Sequence, residues 1–196
     1  ERIQWHMDST PTMEVTGNFT IDGSGEIAID AHDGVINLYE QGTVIANFTS
    51  KGIVANRKIT HTTGNTAGDH DGDVVYFGGT TSMTVGKIYH YKSDGTWEIA
   101  NADAVSTCDG LLGVALGAAS DTNGMLLRGM VTLDHDPGAI GDVLYVQSDN
   151  AGTPGEATAT APSATGDCVR IIGYQLTHAS NGNVWFNPDN TWVEHA

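Results

Sequence analysis

The chain is 196 residues long, room for one large domain or two small ones at roughly 150 residues per domain. Only 8 Lys and Arg stand against 24 Asp and Glu, a formal charge of −16, which excludes the basic face that nucleic acid or an anionic membrane surface requires. Apolar residues at 39% are enough for a core, charged residues at 16% are too few for a charge-driven disordered chain, and no segment has the length and hydropathy of a membrane span, so membrane insertion is not expected.

Many of the 25 glycines stand beside Asp, Asn or Ser, pairs that supply positive-φ turn positions and local side-chain-to-backbone bonds. Thr and Val are plentiful, whereas the helix-supporting Glu, Lys, Arg and Leu are scarce. The composition predicts an all-β protein with many tight turns.

Residues 1–14 read as a flexible or cloning-derived start. Residues 15–59 alternate in very short runs split by glycine turns: Glu26–Asp30, Val35–Tyr39 and Thr43–Phe48. Strands this short bury too little surface alone, so the segment reads as an intertwined β shaft completed by other copies of itself. Residues 60–71 read as a polar linker.

Residues 72–196 carry an internal duplication, about 72–134 and 141–194. Gly72-Asp73-Val74-Val75-Tyr76 reappears as Gly141-Asp142-Val143-Leu144-Tyr145. Cys108-x-x-Leu111-Leu112-Gly113 reappears 60 positions later as Cys168-x-x-Ile171-Ile172-Gly173, and Asn123-Gly124 is matched by Asn181-Gly182. Each Asn-Gly between apolar runs predicts a two-residue hairpin turn. Two related units predict a β-sandwich or barrel. In the first copy, Asp94-Gly95 as the turn of a hairpin over 87–100 places Lys92 opposite Trp97, Tyr91 opposite Glu98 and His90 opposite Ile99.

Few residues carry chemistry. Asp69-x-Asp71-x-Asp73 has the oxygen-ligand spacing that opens a calcium loop, although Val74 stands where such a loop needs glycine and the closing acidic residue is missing. Ca2+ at these three residues is the one cofactor considered; otherwise none is expected. The eight histidines show no zinc-ligand spacing, and no Gly-x-Ser-x-Gly elbow exists. Tyr89, Tyr91 and Trp97 are candidate receptor or glycan contacts, because the CH faces of a pyranose pack on aromatic rings. Cys108 and Cys168 occupy equivalent positions of the two copies and are expected as two small buried thiols, with a disulfide between them sterically conceivable.

The short-strand segment, Gly25 through Thr49, resembles the shaft repeats of tail fibres and related virion proteins of tailed bacteriophages of the marine type. The region with Leu127–Pro137, Gly141–Tyr145 and Val184–Thr191 is similar to the β-rich terminal domain of such fibres. The resemblance implies a non-enzymatic virion structural protein: a homotrimer, a tail fibre or appendage tip assembled in the host cytoplasm. Its implied partners are a bacterial surface glycan or receptor protein and other virion proteins. A polysaccharide-degrading tailspike and a capsid decoration protein are the alternatives.

Overall fold

A computed structural model describes residues 35–40, 43–49, 52–55, 59 and 65–196. The chain is all-β and divides into two compact units, Glu1–Arg57 and Lys58–Ala196. In the first unit, β1 (Val35–Glu40), β2 (Thr43–Thr49) and β3 (Gly52–Ala55) form an antiparallel meander. Val35 pairs with Thr49 and Thr49 with Gly52, and a bulge interrupts the β1–β2 register after Leu38. The strands expected at Val35–Tyr39 and Thr43–Phe48 are therefore present; the one at Glu26–Asp30 lies outside the described residues.

The second unit is built on one curled nine-stranded antiparallel sheet that forms a half-barrel. Its strands are β4 (His70–Val75), β5 (Ile88–Tyr91), β6 (Trp97–Ile99), β7 (Leu112–Ala115), β8 (Met125–Thr132), β9 (Val143–Val146), β10 (Ala157–Thr158), β12 (Ile171–Gln175) and β13 (Asn183–Phe186). A two-stranded sheet joins β11 (Cys168–Val169) to β14 (Val193–Glu194).

The sheet forks at β8. Along one edge β8 pairs with β4; along the other, Met125 and Leu126 pair with β7 while Gly129–Thr132 pair with β13. Two arms leave the fork, β7-β5-β6 and β13-β12-β9-β10. They follow the same four-strand path: a hairpin whose first strand pairs with the third, which pairs with the fourth. Equivalent backbone bonds fix the correspondence. Gly86 N–H donates to Ala115 O and Ala115 N–H to Lys87 O; in the other arm Gly141 N–H donates to Gln175 O and Gln175 N–H to Asp142 O. Gly86 thus corresponds to Gly141, and the Gly72–Tyr76 segment instead forms β4 beside the trunk. These backbone bonds, not the five-residue match, set the correspondence, because strand pairing follows backbone geometry.

Hydrophobic burial explains both arms. The main core combines Ile88, Leu112, Val114 and Leu126 with Leu144, Val146, Ile172, Val184 and Phe186. The tips of the arms are tied across this core: Ile88 N–H donates to Gly155 O, Gly155 N–H to Ala100 O, Ala102 N–H to Gln147 O and Cys168 N–H to Ala102 O. Residues of alternate parity on the first arm enter a second cluster of Met83, Tyr89, Trp97, Ala115 and Met125, with Phe77, Tyr91 and Leu127 against it. Strand β5 is therefore covered on both faces, which is why its Ile88-Tyr89-His90-Tyr91 run contains no charged residue.

Neither Asn-Gly pair makes a two-residue hairpin turn. Before β8 the chain makes one helical turn, α1 (Ser120–Asn123), which Gly124 closes at φ 88° with its N–H on Ser120 O. Asn123 Oδ1 accepts the Ala119 N–H, a local competitor to turn geometry that Asn side chains supply. Before β13, Gly182 instead donates its N–H to His135 O.

Candidate functional site

Asp71 and Asp73 lie in strand β4, and Asp69 directly precedes it. Asp71 lies opposite Met130 and Asp73 opposite Arg128 in the β4–β8 register, and the Thr132 N–H donates to Asp69 O. Successive same-face residues of a strand stand roughly 6.5–7 Å apart, whereas a calcium loop curls its ligands around one point. Among the described residues no group of three His, Cys, Asp or Glu side chains is placed to hold a metal ion. Asp71 and Asp73 thus lie in strand β4, with Asp69 directly before it, and β4 begins within the expected linker.

The aromatic trio is mostly internal. Trp97 is 3% and Tyr89 7% exposed. The Trp97 indole stacks on Phe77 with centroids 5.6 Å apart and donates its N–H to Phe77 O at 2.8 Å, while Tyr91 packs against both rings at 5.0 Å. The Tyr89 hydroxyl accepts the Thr84 N–H. Burial leaves Tyr89 and Trp97 no face for a ligand; Tyr91 alone of the three borders a cleft, about 430 Å³, with His90, Lys92, Glu98 and Asp109.

This outcome follows from a one-residue change in hairpin register. The turn has three residues, not two: Lys92 N–H donates to Thr96 O, Gly95 N–H to Lys92 O, and Gly95 sits at φ 84°, the arrangement of a type I turn closed by a glycine bulge. Tyr91 then pairs with Trp97, His90 with Glu98 and Tyr89 with Ile99. A slip of one residue changes which side chains face each other, so Lys92 loses the Trp97 ring and pairs with Asp94 at 3.1 Å. Hydrogen bonds from the Thr96 hydroxyl, then from Lys92 and the Thr96 N–H, hold the Asp94 carboxyl down at about 2.

A charge network ties the two arms. Lys87, nearly buried, reaches Glu156 at 2.6 Å and Asp134 at 3.2 Å, and His135 Nδ1 lies 2.8 Å from Asp134 Oδ1. With that Nδ1–H given to Asp134, His135 Nε2 accepts the Ala157 N–H at 2.9 Å. The lone pair that a general base would use is committed to the backbone, so this Asp-His pair is a structural clamp.

Cys108 and Cys168 are both fully buried free thiols in the main core, hydrogen-bonded to each other. That bond and burial push the Cys108 thiol well above its ordinary value. Beside them Arg170, 2% exposed, donates Nη1 to Cys108 O and Nε to Asp189 O, and its charged form is disfavoured by burial.

Arg170 thereby anchors a loop that lies within the Val184–Thr191 stretch but was not among the expected site residues. Asn187 N–H donates to Ile172 O, Asp189 N–H to Ile171 O, and Thr191 donates both its N–H and its hydroxyl to Asp189 Oδ1 at 3.0 Å. Loop residues Asn187–Asn190 and strand residues Ile171 and Tyr174 line an open cleft of about 440 Å³. No protein-family model, curated protein or solved structure matches this chain. The loop had one legible signal: Asn187-Pro188-Asp189-Asn190 after an apolar run is turn chemistry rich in planar polar groups. Which strand residues it would meet was not readable, because β12 and β13 become neighbours only through pairing.

Proposed function

We propose that the chain is a non-enzymatic structural protein of a tailed-phage virion, a homotrimeric fibre or appendage tip that attaches to the bacterial surface. The observation that carries this reading is the Val35–Ala55 meander. It is one sheet of three short strands in a unit separate from the half-barrel. A sheet buries its apolar face only against a second layer, and copies of the same segment around a threefold axis supply that layer. The acidic surface supports a protein partner or an uncharged glycan over nucleic acid.

Light scattering at micromolar concentration is expected to give three times the 20.6 kDa chain mass, and a monomeric mass overturns the trimer. Antibody against the chain is expected to label the tail of virions in electron micrographs; labelling of the head identifies a capsid decoration protein instead. Release of oligosaccharides from host polysaccharide identifies a tailspike enzyme.

A further inference from the structure

Among the described residues, the outer face of the second arm has no cover like the one that closes the first. On the first arm, Phe77 and Met83 pack over Tyr89, Tyr91 and Trp97. On the second, cross-strand pairing sets Val143, Tyr174, Trp185 and Met130 in one row across four strands, with Tyr145 and Ile171 paired beside it. Tyr174 is 47% and Ile171 38% exposed. The Asn187–Asn190 loop stands at the edge of this row and closes the cleft on its polar side.

Chemistry selects the occupant. The cleft volume falls in the range of roughly 300–1,000 Å³ usual for small-ligand sites. One wall is an aromatic ring and an aliphatic side chain; the other carries two amides and one carboxylate, groups that bond pairs of hydroxyls through two adjacent polar atoms. The loop is held by two backbone bonds and by Arg170, so little ordering cost accompanies binding. Bonds from the Thr191 N–H and hydroxyl lower the Asp189 carboxyl, keeping it an acceptor at neutral pH. The lining holds one carboxylate and no cation, which disfavours acidic ligands. A protein partner would need about 800 Å² on each side, far more than two exposed apolar side chains provide.

We propose that the cleft between Tyr174 and the Asn187–Asn190 loop binds a neutral pyranose, its CH face on the Tyr174 ring and its hydroxyls on Asn187, Asp189 and Asn190. This identifies the ligand class for the attachment function proposed above and rests on that reading for its biological meaning.

Saturation-transfer NMR on the full chain tests it, with methyl α-mannopyranoside, methyl α-glucopyranoside and methyl β-galactopyranoside as probes and glucuronic acid as the acidic comparison. At least one neutral probe is expected to receive saturation on its CH face and glucuronic acid none. Tyr174→Ala and Asp189→Asn are each expected to weaken binding about tenfold, equivalent to about 1.4 kcal/mol. Tyr76→Ala, an exposed tyrosine outside the cleft, is expected to bind as the unmodified chain does. Absence of saturation with all three neutral probes, equal saturation of glucuronic acid, or binding that survives both cleft substitutions overturns the proposal. Virion labelling separates the two ideas: tail labelling with a cleft that binds no pyranose leaves the attachment reading standing, and pyranose binding without virion labelling leaves only the cleft.

Discussion

Arg170 shows how one side chain joins distant parts of this protein. Its guanidinium is buried at the base of the Asn187–Asn190 loop and bonds backbone carbonyls 62 residues upstream and 19 downstream. Arg170→Met keeps most of the apolar bulk and removes both bonds, each from a charged donor. A loss of about 2–4 kcal/mol is expected in urea unfolding, and Arg170→Lys is expected to recover little, because a single ammonium cannot span both carbonyls. Asp94 offers a test at the surface. Its carboxyl titrates near 2 in the folded chain, below the ordinary value of about 3.9. The stabilisation it gives the hairpin is fully present above the ordinary value and is lost as pH falls through the folded one. The Thr96 amide resonance is therefore expected to shift with a midpoint near pH 2; a midpoint near 4 would show that the Lys92-Asp94-Thr96 contacts do not persist in solution.

Strand pairing explains where glycine is indispensable and where it is merely favoured. Gly95 closes the β5–β6 turn at φ 84°, yet a Cβ there would meet nothing nearer than the Tyr91 hydroxyl at 3.6 Å. Gly95→Ala is expected to cost only the left-handed strain, about 1–2 kcal/mol. Gly129 at φ 141° lies where β4 and β8 cross closely, and its Cβ would overlap Asp71 O and the Gly72 Cα. Gly129→Ala is expected to lose more than about 3 kcal/mol, a contrast readable by thermal unfolding of the two variants. Equal losses would show that backbone strain alone, without the crossing, sets the cost. The same elements mark the limit of sequence reading. Alternation located β1, β2 and β5 closely, because period-two burial is a local property. The hairpin slip arose because Ser93-Asp94-Gly95 fits both a two-residue and a three-residue turn, and only Trp97 packing under Phe77 selects the register that buries the indole.

At the scale of the molecule, the repeated four-strand path explains why the two cysteines meet. Each precedes the third strand of its arm, and the arms close on one core. The arms differ in what covers their outer faces: the first spends its aromatic residues on internal packing, and the second leaves Tyr174 beside a rigid polar loop. The same packing buries Tyr89 and Trp97 and leaves Tyr91 at the border of a cleft. A trimeric mass in light scattering would add a threefold arrangement of such clefts and raise avidity for a polymeric glycan through linked binding.

Composition by itself determined the all-β class, the density of turns and the net charge of −16, since propensity and charge are summed over residues and need no contacts. The internal matches pointed to two related units, with Gly72 set against Gly141 where the backbone bonds set Gly86. Only the tertiary structure decided that Asp71 and Asp73 belong to a strand, that Trp97 is internal, and that Tyr174 lines one cleft with Asn187–Asn190. Each of these depends on which strands become neighbours, and that is fixed by burial of the whole core rather than by any local segment of the chain.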